Sequence, residues 1–195
     1  MPAESSAGCA ASTPSFTPDS WLMAIVDSCI HLVVWDLRSG KVKRTVVLPD
    51  RASGSGAHLS PDGRYALVTV LGGAFVRVDL ASGKTVEVPG AEAEGNVLAI
   101  SSDNHFYAIG RQDGTVDVYD ARSLRLVRRH TLANAVETLA FSPDSLELAV
   151  EDTSNIVRLW DTCAVCENAT RLSQLAAKQS VRDLTPGERA TFNVG

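Results

Sequence analysis

Short apolar runs alternate with clusters of Gly, Pro, Ser, Asp and Asn along residues 16–161. The runs are rich in Val, Ile and aromatic residues, a composition typical of β-strands rather than of helices. Four of them follow a polar turn directly, at residues 21–26, 65–71, 106–110 and 146–150. The pattern therefore predicts a chain built mainly of short strands.

Two sequence markers recur with one shared period. The first is a dipeptide ending in aspartate, and its four copies are Trp35-Asp36, Val78-Asp79, Tyr119-Asp120 and Trp160-Asp161. The second is a turn that starts with a hydroxyl residue and has aspartate two positions later, and its copies begin at Thr17, Ser60, Ser101 and Ser142. Both markers are spaced by 43, 41 and 41 residues, which indicates four tandem repeats.

Each repeat has room for four strands. Further apolar runs precede the turns (57–59, 97–100 and 138–141) and follow the dipeptides (42–48, 85–88 and 126–132). About 41 residues cannot hold four strands and a crossover helix, so each unit is expected to be a small antiparallel sheet, with the sheets stacked radially as blades. We expect an all-β fold with blades at 13–49, 50–90, 91–133 and 134–162, a disordered segment at 1–12 and a short α-helical tail at 163–195.

Two segments resemble a known family. Phe141-Ser142-Pro143-Asp144 with the run 156–161, and the stretch 113–120, are similar to the consensus of the WD-repeat β-propellers. The resemblance implies that the aromatic residue of each dipeptide fills the space between neighbouring blades, and that the aspartate accepts backbone N–H bonds in the turn that follows. The Gly-His dipeptide of many members is absent, and the aspartate expected before the third strand stands only at Asp113. Apolar packing is therefore expected to replace the polar network between those two residues.

The last 33 residues depart from the repeat. Leu172, Leu175 and Ala176 share one helical face, and Thr185 followed by Pro186 is typical of a helix start. This tail resembles the terminal segment of large bacterial WD-repeat signalling proteins. Cys163 and Cys166 precede it, and three roles stay open for them: inert packing or a thiol pair in a turn, a redox-active disulfide, or a share of a metal site.

Four repeats are fewer than the seven typical of WD-repeat rings. Three arrangements stay open: a portion of a longer propeller, a half ring that completes itself by self-association, or a small closed ring. The first repeat is the weakest, because Pro14 lies in its expected first strand.

The composition and charge of the chain limit the kinds of partner that are expected. The chain carries a formal net charge of −5 and has no apolar run near the length that crosses a bilayer, so neither nucleic acid nor membrane is expected as a partner. Four cysteines without a disulfide pattern, and no leader sequence, favour a cytoplasmic location. The stretch Ser82-Gly83-Lys84-Thr85 is expected to be a hairpin turn rather than a phosphate-binding loop, since Val78 stands where that motif needs glycine. No cofactor and no metal ion are expected.

A basic run lies in the expected outer strand of the third repeat. It comprises Arg122, Arg125, Arg128, Arg129 and His130. The favoured interpretation is a solvated, charged sheet edge, and the alternative is a docking site for an acidic protein surface.

The favoured function is a non-catalytic scaffold for protein–protein interaction, as the propeller part of a bacterial signalling or regulatory protein. The repeated residues Trp35, Asp36, Val78, Asp79, Tyr119, Asp120, Trp160 and Asp161 are predicted to be structural. Binding is predicted at loops of one rim, with contacts from Arg51, Ser55, Glu92, Glu94, Asn96, Gln112, Asp113 and Asn134. The alternative function is a propeller-type hydrolase or lactonase that uses a central metal ion.

Overall fold

The computed structural model describes residues 12–27, 30–49, 56–70, 75–88 and 97–162. These residues form four antiparallel sheets. Sheet 1 contains β1 (Ser15–Phe16), β2 (Leu22–Val26), β3 (His31–Asp36) and β4 (Lys41–Val47). Sheet 2 contains β5 (Ala57–Leu59), β6 (Tyr65–Thr69), β7 (Phe75–Asp79) and β8 (Thr85–Glu87). Sheet 3 contains β9 (Val97–Ile100), β10 (Phe106–Gly110), β11 (Thr115–Asp120) and β12 (Leu126–Thr131). Sheet 4 contains β13 (Val136–Phe141), β14 (Glu147–Asp152) and β15 (Val157–Asp161).

Within each sheet, the strands pair in chain order as an antiparallel meander. The all-β fold with repeated antiparallel sheets is confirmed, and each aspartate dipeptide ends a third strand. Strand β1 has only two residues, paired as Ser15 with Ala24 and Phe16 with Met23. Pro14 directly precedes this short strand and lies outside it.

The turn between the first and second strands has the same hydrogen bonds in all four sheets. In sheet 2, the Ser60 hydroxyl donates to the Asp62 carboxylate at 2.8 Å and accepts the Tyr65 N–H at 3.0 Å. The residue three positions after the hydroxyl residue has a left-handed backbone, with φ between 58° and 65° in the four copies: Ser20, Gly63, Asn104 and Ser145. The repeated hydroxyl and aspartate are therefore requirements of one turn.

Side chains of these turns also join consecutive sheets. The Asp62 N–H donates to Oδ1 of Asn104 at 3.1 Å, and the Asp103 N–H donates to Oγ of Ser145 at 3.1 Å. The residue of sheet 2 that is equivalent to Asn104 and Ser145 is Gly63. It has no side chain that could accept such a hydrogen bond from the turn of sheet 1. A Cβ there would meet Cδ1 of Leu22 at 2.6 Å, so apolar contact replaces the hydrogen bond.

Within the described ranges, the hydrophobic core consists of three clusters, one between each pair of consecutive sheets. The first strands of consecutive sheets contact one another, as radial stacking requires. Val116 and Val118 of sheet 3 are buried against sheet 4, at 0% and 6% exposure. One repeat later, Val157 and Leu159 of sheet 4 are 60% and 66% exposed. Among the described residues, the face of sheet 4 that points away from sheet 3 is therefore largely open.

The chain divides into two units, Met1–Asp161 and Thr162–Gly195. All four sheets belong to the first unit. The predicted helical tail, Cys163 and Cys166 lie outside the described residues, and so do residues 1–11 of the predicted disordered segment.

Candidate interaction surface

The predicted rim residues that the structure describes lie at one end of sheet 3. Because the strands alternate in direction, the loops between second and third strands lie at the same end as the connections to the next sheet. Gln112 and Asp113 are in the loop between β10 and β11, and Asn134 connects β12 to β13. All three are exposed, and we call this end of the sheets the loop rim. The other predicted contacts lie outside the described residues: Arg51, Ser55, Glu92, Glu94 and Asn96.

Gly114 brings the two described rim loops together. Its φ is 82°, and a Cβ there would meet the carbonyl oxygen of Asn134 at 2.8 Å. The Leu132 N–H donates to the Gly114 carbonyl at 2.9 Å, which ties the connection to the loop. Asp113 accepts the Thr115 N–H at 2.8 Å, and hydrogen bonds from Thr115 hold its carboxyl pKa below the ordinary value. Asp113 and Asn134 are therefore held on one small surface.

A network of buried charged side chains lies next to this surface, at the start of the loop that carries Gln112 and Asp113. Nη1 of Arg111 lies 2.7 Å from Oδ2 of Asp117, and both side chains are almost fully buried. Arg129, from the outer strand, donates to both oxygens of the same carboxylate, at 2.6 and 2.8 Å. The Tyr119 hydroxyl donates to Asp117 at 3.2 Å. Burial acts to raise the pKa of Asp117, but the hydrogen bonds and charges of the two arginines hold it below the ordinary value.

At the positions equivalent to Arg111 and Asp117, sheet 4 carries the opposite charges. Asp152 is fully buried and lies 2.6 Å from Nη1 of Arg158. Its other carboxylate oxygen accepts the Ser154 hydroxyl and, at 3.0 Å, the Ser154 N–H. The Ser154 hydroxyl and the Arg158 guanidinium overcome the effect of desolvation and lower the pKa of Asp152 to about 2. In sheet 1, the buried Asp27 at this position accepts the His31 N–H at 2.8 Å.

These ion pairs differ from the apolar packing that we expected at the entry to the third strands. The loop aspartate was predicted only at Asp113, and the buried charges at Asp27, Arg111 and Asp152 were not predicted. One signal was present: Arg111 and Asp117 align with Asp152 and Arg158 at the 41-residue period, with the signs exchanged.

The aspartates of the repeated dipeptides bind the turn that follows them. Asp36 accepts the Arg38 and Ser39 N–H groups at 2.9 and 3.0 Å. Asp79 and Asp120 each accept the N–H and the hydroxyl of a serine three residues later, Ser82 and Ser123, at 2.6 to 2.7 Å. The glycines Gly40 and Gly83 have φ of 65° and 76°, as the predicted hairpin turns require.

In sheets 2, 3 and 4, the residue before the aspartate points toward the preceding sheet. Val78 belongs to the cluster between sheets 1 and 2, and Tyr119 to the cluster between sheets 2 and 3. Trp160 packs against the cluster between sheets 3 and 4. Trp35 occupies the same position in sheet 1 and is partly buried. Asp161 ends β15.

The basic run of β12 is not a simple solvated edge. Arg129 binds the buried Asp117, Arg128 donates to the Asp161 carbonyl of sheet 4 at 3.1 Å, and the His130 ring stacks on Trp160 at 4.1 Å. In sheet 1, Arg44 is at the position equivalent to Arg128 and donates to a carbonyl of the next sheet, that of Ala81, at 2.6 Å. Arg128 and His130 therefore join sheet 3 to sheet 4, whereas Arg129 joins β12 to β11 within sheet 3.

No group of three or more His, Cys, Asp or Glu side chains in the described ranges is placed to hold a metal ion. No helix in the same ranges is long and apolar enough to cross a membrane.

Repeated antiparallel sheets that pack face to face through apolar clusters define the β-propeller class of fold. Comparison with known proteins supports this class. The chain is 28% identical over 151 residues to the target of rapamycin complex subunit wat1 of Schizosaccharomyces pombe, covering 75% of this chain and 47% of the relative. It superposes on the β-propeller domain of Cps50 (Swd1) from Myceliophteria thermophila with a TM-score of 0.62 at 18% identity, covering 77% of this chain and 51% of that one. No protein-family model matches the chain.

The chain thus spans about half the length of both proteins. The resemblance to WD-repeat β-propellers inferred from the sequence is confirmed. The comparisons do not support the expected bacterial origin, because the sequence relative comes from Schizosaccharomyces pombe.

Proposed function

We propose that this chain is a non-catalytic scaffold that binds protein partners through the loop rim. The observation that carries the proposal is the rigid support of the exposed rim residues. Gln112 and Asp113 follow Arg111 directly, and Arg111 is fixed by its 2.7 Å ion pair with the buried Asp117. Loops that are exposed but rigidly held suit recognition, because little conformational entropy is lost on binding.

The relative named above supports the same proposal. That protein is, as its name states, a subunit of the target of rapamycin complex. By analogy, we propose that this chain is a complex subunit in a signalling or regulatory context and acts in the cytoplasm.

Rim variants test this proposal. Gln112→Arg and Asn134→Arg place a large cation on exposed residues of the rim. The matched control is Ser102→Arg, an exposed residue in the turn at the other end of sheet 3. Tagged proteins are used for quantitative co-purification from the source cells. We expect proteins captured by wild type and by Ser102→Arg to fall at least about tenfold with the rim variants, which corresponds to about 1.4 kcal/mol of binding free energy.

Equal capture by all variants would contradict binding at the rim. Calcium-dependent ester hydrolysis that survives purification would instead support the propeller-hydrolase alternative.

We also propose that the chain self-associates through the open face of sheet 4. Val157 and Leu159 are exposed there, whereas the residues one repeat earlier are covered by the next sheet. The open face of sheet 1 offers a complementary apolar surface, with Phe16 and Val47 at 51% and 67% exposure. A second copy that covers both faces would continue the radial stacking.

Light scattering with a face variant tests self-association. We expect wild type to be larger than the 20.7 kDa monomer and Leu159→Glu to be monomeric. Val86→Glu is the matched control, because Val86 is 53% exposed on the outer strand of sheet 2, an internal sheet of the array. A wild-type monomer at high concentration would contradict the proposal.

A further inference from the structure

A cavity of about 610 Å³ lies between sheets 2 and 3, at the end opposite the loop rim. Its wall includes Arg77 and Tyr65 from the strands of sheet 2, and Arg64, Asn104 and Arg122 from the turns of both sheets. None of these residues belongs to the loop rim. The cavity is therefore a separate feature of the molecule.

Arg77 stands at a position that is apolar in the other sheets. At the 41- and 43-residue periods it aligns with Val34, Val118 and Leu159. Its guanidinium lies 4.6 Å from the centroid of the Tyr65 ring, a cation–π contact that holds it against the wall. A charged group at an inter-sheet position is costly unless an opposite charge binds it.

The Asp79 carboxylate, two residues further along β7, attracts Arg77 but forms no ion pair with it. Arg77 makes no hydrogen bond or ion pair within the described ranges, and its Nε is buried without a partner. The Tyr65 hydroxyl is likewise buried and unpartnered, in a residue that is 4% exposed. Arg77 and Tyr65, which lie in the same wall of the cavity, thus each carry a buried donor without an acceptor.

The two aspartates of the cavity are already engaged in their turns. Asp62 accepts the Ser60 hydroxyl at 2.8 Å, and Asp103 accepts the Ser101 hydroxyl at 2.6 Å. Three arginines against these two carboxylates give the lining a net charge of +1. The adjacent cavity of about 280 Å³ between sheets 1 and 2 has three aspartates against Arg38 and Lys43, a net charge of −1. Of the two cavities, only the larger favours an anion.

We propose that the cavity between sheets 2 and 3 binds a carboxylate, the side chain of an aspartate or glutamate on a partner protein, with the Arg77 guanidinium as its main ligand. The planar guanidinium matches the two oxygens of a carboxylate. A singly charged group fits a lining of net charge +1, whereas Asp62 and Asp103 repel the second charge of a phosphate. The protein nature of the ligand rests on the scaffold function proposed above, and the carboxylate chemistry rests on the cavity itself.

Titration of the wild-type protein with small probes tests the chemistry directly. The probes are N-acetyl-glutamate amide, its glutamine analogue, and inorganic phosphate, with the arginine Nε–H signals followed by NMR. We expect the Arg77 signal to shift saturably with the glutamate probe, and at least about tenfold higher concentrations of either other probe to be needed. Equal binding of the glutamine probe, tighter binding of phosphate, or no shift of Arg77 would each overturn the proposal.

Variants locate the site and separate the two proposals. Arg77→Gln should abolish the saturable shifts of the remaining cavity signals, and the matched Arg38→Gln, from the adjacent cavity, should leave them unchanged. Loss of the shifts with Arg38→Gln as well would contradict the assignment to Arg77. Should Arg77→Gln fail to fold, the wild-type titrations still decide the question. The rim variants Gln112→Arg and Asn134→Arg should bind the glutamate probe normally, so failure of rim capture and failure of this cavity are distinguishable.

Discussion

Sheets 2 and 3 place different chemistry at two equivalent positions. In sheet 2 the positions hold Val70 and Val76, which are 4% and 1% exposed. In sheet 3 they hold Arg111 and Asp117, which are equally buried and form an ion pair at 2.7 Å. Sheet 4 has the pair in reverse order, as Asp152 and Arg158. The blade therefore accepts an apolar pair or an ion pair of either polarity at this place.

The difference between the two sheets indicates that the two positions act as a unit. Burying a charge costs several kcal/mol, and a close opposite charge with further hydrogen bonds is needed to offset that cost. In sheet 3 those bonds come from Arg129 and Tyr119. A buried ion pair adds little net stability over an apolar pair, so its benefit lies elsewhere. Arg111 begins the loop that carries Gln112 and Asp113, and we infer that the pair fixes the position of that loop.

The largest predicted effect is that of breaking the sheet 3 pair on one side. Asp117→Val leaves Arg111 buried without its counterion, and also removes the partner of Arg129. We expect the free energy of unfolding to fall by about 3–5 kcal/mol. Urea denaturation near neutral pH, followed by tryptophan fluorescence, measures the loss.

The control copies the valine pair of sheet 2 into sheet 3. The double variant Arg111→Val with Asp117→Val removes both charges, and Arg129, which is 54% exposed, can turn to water. We expect it to regain most of the stability lost in the single variant, with a coupling energy above about 1 kcal/mol in the double-mutant cycle. A double variant no more stable than Asp117→Val would show that the two sheets are not equivalent at this place.

Much of the fold could be predicted from the sequence because local rules determine it. The hydroxyl-x-Asp turn is specified by its own side chains, so its recurrence in the sequence revealed the repeats. The strand that follows such a turn could then be located, as for β10 at residues 106–110. The site was harder to predict, because its contacts join residues from different strands and sheets. Arg128, Arg129 and His130 looked like an exposed edge, yet their partners are Asp161, Asp117 and Trp160. Which face of an outer strand is covered depends on the angle to the next sheet, and the sequence does not encode that angle locally.

The smallest predicted effect concerns the ion pair of sheet 4 and depends on pH. The pKa of Asp152 in the folded protein is about 2, below its ordinary value of 3.8. A lowered pKa means that the charged carboxylate stabilises the folded state. This contribution is fully present above the ordinary value and is lost as the pH falls from 3.8 toward 2.

Removing the Asp152 charge should therefore matter most near neutral pH. We expect the difference in unfolding free energy between wild type and Asp152→Asn to be constant above about pH 5 and to shrink steadily toward about pH 2. Urea denaturation at a series of pH values measures this difference. Because Asp117 of sheet 3 also has a lowered pKa, wild type and Asp152→Asn should both lose stability in acid, and only their difference reports on Asp152. A difference that does not change with pH would show that Arg158 and Ser154 contribute equally to the protonated and the charged carboxyl, and that the sheet 4 pair is held by packing rather than by charge.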